Sequence, residues 1–534
     1  MISKTDYLLY RECSKNAWLK IHRPDLYYAN ELSDFEKSII ETGNEVESLA
    51  RKLFPTGILI DGRDIIAQEK TSVIIQALTK ETSAANDADV QSIFQPVFVK
   101  SGFMAAIDLL QYSHKSKSFT LYEIKATNAL KEKTHLYDLA YQVNLLKMCG
   151  LNIDEIKLLH LNPKYVRNGD LDLLKLFATD DVTQLVNELL ESVMDEMQAA
   201  LSFLTSEEEP LGHCSCIYKG RSSHCTSFKH WNPGIPEYSV HDIARIGVSK
   251  AKLTELIDGN IFDVGNIPEE IELSEIQKNQ VDVHISGRPI IKKDSISREL
   301  SSLQFPLYFI DYETYPSAVP RFDGFSPYQQ IPFQYSLHII EKAGDLMSST
   351  YKPLHQEFLH TGSNDPTGPF LESLMKNIGK IGSVIVWNKK FECKINDELA
   401  KRVASLEIGP NARKFIDDVN GRVYDLMDIF SKQHYVHKGF QGSTSIKYVL
   451  PVIAEIAGGQ AELSYKKLAI REGGTASMKW NEMSTGMCVN EKTGEKSTLS
   501  AEDRKQIAQD LLKYCALDTY AMYAIWKHLW ELCK

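Results

Sequence analysis

Stretches of apolar residues separated by polar ones divide the chain into three regions with different patterns. Residues 1 to about 232 combine helical periodicity with one β-hairpin, residues about 233–300 have the pattern of short helices, and the rest opens with an apolar strand. Strands and helices mixed in this way predict an α/β protein. The clearest predicted elements are the hairpin strands Phe103–Tyr112 and Phe119–Thr127, later strands at Leu303–Tyr315, Gln334–Ile340 and Ser383–Trp387, and a long helix over Ala501–Leu532.

Composition and charge narrow the class of protein. With 43% hydrophobic residues, the chain of 534 residues can build real cores, which excludes a disordered protein. No apolar stretch approaches the roughly 20 residues of a membrane helix, and the first residues lack a signal-peptide pattern, so we expect a cytoplasmic protein with no membrane partner. The net charge of −11 argues against a protein that coats DNA, but carboxylates gathered around divalent cations would add negative charge to a nucleic-acid enzyme.

The predicted hairpin carries the first candidate site. Because residues 113–118 have the composition of a turn, a symmetric hairpin sets Asp108 directly opposite Glu123. Two opposed carboxylates repel each other unless a divalent cation lies between them. Lys125 projects from the same face as Glu123 and would orient a water nucleophile or stabilise charge on a phosphate. The alternative is a solvated hairpin face.

These residues resemble the core of the PD-(D/E)XK nucleases, in the RecB-like branch that includes the CRISPR adaptation nucleases. The stretch Thr42–Phe54 matches the first helix of that core, which implies that Glu45, or Glu47 as the alternative, completes a metal site. The later motif DLAYQVN matches a helix that implies a supporting role for Gln142, and for Tyr141 beside it. A plain amphipathic helix is the alternative for this last motif.

The nine cysteines form a second candidate site. An odd, unevenly spaced set without a secretion signal favours a reducing compartment and metal ligation over disulfides. Some RecB-like nucleases bind a [4Fe–4S] cluster through one early and three late cysteines, which implies a cluster on Cys13, Cys214, Cys216 and Cys225. Four thiolates suit zinc equally well by count. Because the spacing departs from the family pattern, His230 in place of one thiolate and a site without any cluster remain alternatives.

The middle region contains a candidate phosphate-binding turn. Residues 243–261 resemble a helix–hairpin–helix unit, in which Gly247 would end one helix and expose N–H groups at the start of the next. Such a turn holds a DNA phosphate without reading the base sequence. Lys250 and Lys252 would assist it. The alternative is a small helical linker.

The last region carries a third candidate site. Asp311 and Glu313 lie two apart on one strand face, and Tyr514 and Asp518 lie one turn apart on the long helix. An acid among the apolar residues of a helix is costly unless something pairs with it. Two groups of acids with a phenol suit two-metal phosphodiester hydrolysis, in which the phenol would help to position the water. The alternative is a pair of acids at an element end and a salt-bridged aspartate.

This arrangement resembles the DEDD 3′–5′ exonucleases of the ribonuclease H-like fold, in the branch with a Tyr four residues before the last Asp. The family places an Asp after an Asn and an aromatic residue, whereas the motif SVIVWNKKFE ends here in Glu392. The longer side chain would alter metal geometry or rate. Asp425 is a further candidate after a strand-like approach.

The same region also resembles a bacterial domain family of unknown function found downstream of RecB-like nuclease domains. The matching signatures are FDGFSPYQQIPFQYSL, GSTSIKYVLP and YCALDT. Polar and aromatic residues such as those at 327–330, together with Lys447, would line a channel for a nucleic-acid strand. Alternatively, they pack the two halves of the chain together.

We therefore predict a metal-dependent nuclease, with DNA favoured over RNA as its partner and Mg²⁺ or Mn²⁺ as its cofactor. The predicted architecture is a PD-(D/E)XK restriction-endonuclease-like domain over 1–232, a helical bridge over 233–300 and a ribonuclease H-like DEDD exonuclease domain over 301–534. Repair or defence against foreign DNA is implied by the family analogy alone. Two alternatives stay open: a nucleic-acid-binding scaffold in which one or both sites are degenerate, and a zinc-stapled interaction module.

Overall fold

The structure is a computed structural model that describes residues 1–27, 34–80, 90–344, 351–403, 409–458, 464–489 and 496–534. It divides into two compact units. Unit 1 comprises Met1–Ile235 and Ala318–Gln329, and unit 2 comprises Pro236–Ser317 and Gln330–Lys534. Both contain β-sheets and helices, so the predicted α/β class is confirmed. Residues 236–300 of the predicted bridge lie in unit 2, and residues 318–329 of the last predicted domain lie in unit 1.

Unit 1 is built on a six-stranded sheet in the order β2-β3-β6-β7-β8-β9 and a three-stranded sheet in the order β1-β5-β4. Its strands are β1 (Ile2–Ser3), β2 (Ile58–Leu59), β3 (Val90–Phe94), β4 (Val97–Lys100), β5 (Phe103–Ala106), β6 (Leu109–Ser113), β7 (Ser118–Lys125), β8 (Ile153–Leu161) and β9 (Phe177–Asp181). Its helices are α1 (Lys4–Glu12), α2 (Ser14–His22), α3 (Pro24–Tyr27), α4 (Asp34–Arg51), α5 (Ile65–Lys80), α6 (Tyr137–Met148), α7 (Leu173–Leu176), α8 (Thr183–Asn187), α9 (Leu190–Thr205) and α10 (Phe228–Trp231).

The hairpin has the predicted register, but its first strand is interrupted. Leu109 pairs with Tyr122 and Ser113 with Ser118, so the ladder places Asp108 one step before its first pair. The predicted strand stops at Ala106 and resumes at Leu109, because the chain passes here from the three-stranded to the six-stranded sheet. Asp108 therefore lies at the junction of the two sheets.

The segment Ala318–Gln329 is held in unit 1 by an arginine. The guanidinium of Arg167 donates to the carbonyl oxygens of Pro320 and Arg321 at 3.0 and 2.9 Å, and its backbone N–H donates to Phe325 at 3.0 Å. The hydroxyl of Tyr328 donates to the carbonyl of Ala126.

Unit 2 is built on a five-stranded sheet in the order β13-β12-β11-β14-β15, with small two-stranded pairs β10-β16 and β17-β18. Its strands are β10 (Ile290–Ile291), β11 (Leu307–Pro316), β12 (Gln330–Ile340), β13 (Leu354–Leu359), β14 (Ser383–Val386), β15 (Val423–Asp425), β16 (Tyr435–Val436), β17 (Met487–Val489) and β18 (Lys496–Thr498). Its helices are α11 (Lys250–Asp258), α12 (Glu275–Ser286), α13 (Lys293–Ser301), α14 (Thr367–Asn377), α15 (Lys389–Arg402), α16 (Gly409–Gly421), α17 (Asp428–Ser431), α18 (Ile446–Ile456), α19 (Gly473–Thr485) and α20 (Ala501–Leu532).

Strand β11 is central to unit 2 and positions its polar residues. It pairs antiparallel with β12 and parallel with β14, and the register with β12 shifts between Glu313 and Thr314. Helix α20 packs against β11 and β12, and it has the length predicted from the sequence. Apolar side chains such as Phe309 and Trp526 pack together between β11 and α20, so these two elements hold their polar residues close to a common core.

The predicted helix before Gly247 is absent. Val240–Asp242 forms a single 3₁₀ turn, and residues 244–248 are turns that end before α11 begins at Lys250. Ile243 and Ile246 belong to this non-helical segment and are buried. Their apolar side chains therefore reflect burial and not a helical repeat. The expected helix–hairpin–helix geometry at Gly247 is therefore wrong for its first helix. Within the described ranges, none of the helices is long and apolar enough to cross a membrane.

Candidate functional site

The first site surrounds Glu123 in unit 1 and comprises Lys4, Asp108, Glu123, Lys125, Asp138 and Gln142. The Glu123 side chain is fully buried, and its Oε1 accepts from Lys125 Nζ at 2.6 Å and from Lys4 Nζ at 3.0 Å. Its Oε2 accepts from the Gln142 amide at 2.7 Å. Burial acts to raise the pKa of Glu123, but Lys125 and Lys4 outweigh it and hold that pKa well below its usual range. Glu123 is therefore ionised at neutral pH.

The sequence patterns did not identify two members of the first site, Lys4 and Asp138. Lys4 lies 119 positions before Glu123, and only the fold brings it there. Asp138 on α6 is buried and accepts from Lys125 at 2.8 Å and from the Gln142 amide at 2.8 Å. Its position four residues before Gln142, on one face of a helix, was the available signal. Tyr141, which was a supporting candidate, instead donates to the Ile2 carbonyl at 2.9 Å and fixes β1.

Asp108 is the group in the first site whose charge is poorly compensated. Its Oδ2 accepts from the backbone N–H of Ile124 at 2.9 Å. Burial and then the neighbouring Glu123 raise the pKa of Asp108 to about 7, against the opposing effect of Lys4 and Lys125. A cation bound at this carboxylate would favour its ionised form.

The two glutamates considered on α4 lie in different surroundings. Glu45 is exposed. Glu47 accepts from the Gln95 amide at 2.6 Å and from Arg51 at 2.5 Å. The backbone N–H of Gln95 donates to the carbonyl of Asp108 at 3.3 Å, so Glu47 is linked to the first site through Gln95.

The second site lies between β11 and α20 in unit 2, and it comprises Asp311, Glu313, Glu392, Tyr465, Tyr514 and Asp518. Carboxylate oxygens of Asp311 and Glu313 lie within 4.8 Å of each other and of the sulfur of Cys515. Burial, followed by the charges of Asp518 and Glu313, raises the pKa of Asp311 well above its usual range. Burial likewise raises the pKa of Asp518 to about 6. These acids repel one another in a buried place, which a divalent cation would relieve.

Glu392 has an oxygen without a protein partner. It lies in the first turn of α15 and is only 3% exposed, and its Oε2 accepts no hydrogen bond from the residues that the structure describes. Burial raises the pKa of Glu392 to about 8, and its charge contributes to the raised pKa of Asp311. A buried, unpartnered carboxylate oxygen requires an explanation, and a bound ion is a recognised one. Oxygen donors of this kind suit Mg²⁺ and Mn²⁺.

Asp425 accepts hydrogen bonds from two backbone N–H groups, one of them at the start of α15. Its two oxygens accept from the backbone N–H groups of Lys389 at 3.0 Å and Met427 at 3.1 Å. Lys389 opens α15, so Asp425 satisfies a donor at the start of the helix that carries Glu392. The structure therefore places Asp425 in support of Glu392.

A second phenol, Tyr465, was missed in the sequence. Its hydroxyl donates to Oδ1 of Asp518, and its ring centroid lies 6.3 Å from that of Tyr514. The ammonium of Lys447 lies 6.0 Å from the Tyr465 ring, and its charge acts to lower the pKa of both Glu313 and Asp518. Tyr465 belongs to a short 3₁₀ turn with no periodic pattern, so nothing in the sequence singles it out.

The cysteine site gathers the four predicted residues in unit 1. One sulfur each from Cys13, Cys214, Cys216 and Cys225 lies within 4.8 Å of all the others, and none forms a disulfide. His230, the alternative ligand, bonds instead to Glu209 at 3.2 Å.

The two lysines of the middle region lie on α11. Lys250 is its exposed first residue, while the ammonium of Lys252 donates to the carbonyl of Glu272. Lys252 is thus occupied by a contact within unit 2, and Lys250 remains the more accessible of the two.

Two comparisons match parts of this chain, and the descriptions of the matched family and protein give no activity. Residues 308–445 match a family model described as a domain of unknown function (DUF2779). An uncharacterized protein of Mycoplasma genitalium, MG366, is 27% identical over 231 residues, which is 42% of this chain and 32% of that protein. The match thus covers about a third of the length of this curated relative. No solved structure matches the chain.

Proposed function

We propose that the chain is a metal-dependent nuclease that hydrolyses phosphodiester bonds of DNA at the second site. The observation that carries the proposal is the buried group of carboxyl groups on β11, α15 and α20, in which Glu392 keeps an unpartnered oxygen. Ionised acids are costly in such a place, and binding a cation is one way to compensate them. The order of the five-stranded sheet, with β12 antiparallel and β14 parallel to β11, is consistent with the ribonuclease H-like fold that the motifs imply.

The residues of the second site would have three roles: metal binding, orientation of the water and contact with phosphate. Asp311, Glu313, Glu392 and Asp518 would hold two divalent cations, which activate a water and neutralise charge on the leaving oxygen when bound. Tyr514 would orient the water for attack on phosphorus. Lys447 would contact a neighbouring phosphate, because its ammonium lies 6.0 Å from the Tyr465 ring and its charge reaches Glu313 and Asp518.

We propose the first site as a second hydrolytic centre of the PD-(D/E)XK type. Asp108 lies close enough to Glu123 for the charge of Glu123 to raise its pKa, and Lys125 bonds Glu123 at 2.6 Å; both observations support that proposal. One observation also favours the alternative of a degenerate, DNA-binding unit. Both oxygens of Glu123 already accept from protein donors, and among the described residues this site does not bring three His, Cys, Asp or Glu side chains within 4.8 Å of one another.

Nuclease assays on end-labelled single- and double-stranded DNA, and on RNA, test the proposal with Mg²⁺ and with Mn²⁺. We expect Asp311→Ala to abolish hydrolysis at the second site and Asp108→Ala to remove any activity of the first. The matched controls are Asp417→Ala in unit 2 and Asp25→Ala in unit 1, whose carboxylates are 61% and 63% exposed. Degradation that survives in both site variants at the wild-type rate would exclude the proposed function, and preference for RNA would correct the substrate.

A further inference from the structure

The cysteine site joins parts of unit 1 that are far apart in sequence. Cys13 lies between α1 and α2, whereas the other three cysteines follow α9, roughly 200 residues later. Three of the four are only 1% exposed, namely Cys13, Cys214 and Cys216. Free thiols brought together from distant segments and shielded from water have the arrangement of a closed structural metal site.

The distances between the sulfurs distinguish the two metal groups considered for this site. A tetrahedral zinc with Zn–S bonds of about 2.3 Å holds its sulfurs about 3.8 Å apart. Here Cys214 Sγ and Cys225 Sγ lie 4.0 Å apart, and all four sulfurs lie within 4.8 Å of one another. In a [4Fe–4S] cluster each thiolate binds a different iron, so the width of the cluster itself separates the sulfurs. The observed group does not have room for a cluster.

The surroundings of the sulfurs also suit one ion with four thiolates. The amide of Asn232 donates to Cys214 Sγ at 3.3 Å, and His213 in turn bonds the Asn232 oxygen at 2.9 Å. Such outer contacts orient metal-bound thiolates and disperse their charge. Cys13 also occupies the N-cap position of α2, where the helix dipole favours a negative ligand.

We propose that Cys13, Cys214, Cys216 and Cys225 bind one zinc ion as a closed structural site, in place of the iron–sulfur cluster that the family resemblance implies. The site leaves no open coordination position, so it takes no part in hydrolysis and instead ties the start of α2 to the segment after α9. This inference is independent of the proposed nuclease function.

Metal analysis of the full-length protein tests this inference. Protein expressed with both zinc and iron supplied, and purified without oxygen, is analysed for zinc, iron and acid-labile sulfide, and its visible absorption is recorded. We expect about one zinc per chain, no sulfide and no colour. Co²⁺ exchanged into the site should give the intense thiolate-to-metal bands of tetrahedral cobalt. About four irons and four sulfides per chain, with brown colour, would overturn the proposal.

A pair of variants assigns the metal to these residues. Cys216→Ser should lose most of the bound zinc, whereas Cys149→Ser, which changes a cysteine outside the group, should keep it. Zinc retained in full by a folded Cys216→Ser protein would contradict the assignment. If that variant does not fold, the wild-type zinc and sulfide content and its cobalt spectrum still decide between the two metals.

Discussion

The hydroxyl of Tyr465 donates a hydrogen bond to the carboxylate of Asp518. The two residues lie on different elements, a 3₁₀ turn and the long helix α20, so the contact exists only in the folded unit. The family resemblance gives a single phenol to this site, in Tyr514, whereas the structure provides two. Tyr465 acts through a proposed metal ligand, which makes it a positioning residue whose removal should be felt first in metal binding.

Tyr465→Phe should therefore weaken Mn²⁺ binding more than it slows hydrolysis. A hydrogen bond to a charged group contributes about 1.5–3 kcal/mol, so we expect a loss of roughly tenfold or more in Mn²⁺ affinity. Titration of Mn²⁺ followed by electron paramagnetic resonance, alongside rates at saturating metal, separates the two effects. Tyr448→Phe, at an exposed tyrosine on α18, is the matched control. An unchanged Mn²⁺ affinity would assign Tyr465 a packing role only.

Glu392 should make the metal-free protein less stable as pH rises. Its folded pKa of about 8 lies above the ordinary value of 4.5, so between these values the folded state holds a proton that the unfolded state has released. The stability present below the lower value is thus lost progressively toward about pH 8, by up to a few kcal/mol.

Glu392→Gln resembles the protonated form and should flatten this dependence. Urea unfolding of both proteins in chelator, over a series of pH values, measures the difference in slope. Added Mn²⁺ should restore stability to the wild type at high pH and have much less effect on the variant. Parallel pH curves for the two proteins would show that Glu392 is ionised in the folded state.

Lys4 should contribute to the stability of unit 1 although it lies far from the hairpin in sequence. Lys4→Met removes one of the two ammonium groups that compensate Glu123 and Asp138. Because the Lys4 side chain is partly exposed, we expect a loss of about 1–3 kcal/mol, below the usual cost of breaking a fully buried pair. The midpoint of urea unfolding measures it. Lys175→Met, which breaks an exposed pair with Asp172, should leave the midpoint unchanged, and equal midpoints in all three proteins would refute the role of Lys4.

Lys447 should act on nucleic acid through charge alone. We expect Lys447→Ala to weaken binding of single-stranded DNA by a similar factor for all sequences and to reduce the dependence of log affinity on log salt by about one. Fluorescence anisotropy in chelator, at several salt concentrations, measures both quantities. Lys414→Ala removes an exposed lysine of α16 and should leave the salt slope as it is. A sequence-dependent loss for Lys447→Ala would indicate base contacts instead.

The elements that the sequence predicted well are those specified by local interactions. Helix α20 begins where Ser500 and Asp503 form a capping box, and its long amphipathic pattern marks its length. The hairpin register follows from its short turn, which has few ways to pair the flanking strands. In both cases the neighbours in sequence are also the neighbours in space.

The parts that the sequence did not predict depend on distant partners. The break in the first hairpin strand arises because Asp108 lies where the chain changes sheets, which no pattern within the strand records. Lys4 and Tyr465 reach their sites only through the fold. The apolar residues before Gly247 lie in turns and are buried there. Their spacing resembles that of a helix, but the segment is not helical.

The segment Ala318–Gln329 has a consequence for how the chain acquires its structure during synthesis. It follows β11 of unit 2 in sequence but belongs to unit 1, where Arg167 binds it through three hydrogen bonds. Residues 1–235 are synthesised before this segment. These three hydrogen bonds can form only after the central strand of unit 2 has been synthesised, and an expression fragment that stops at residue 235 would lack them.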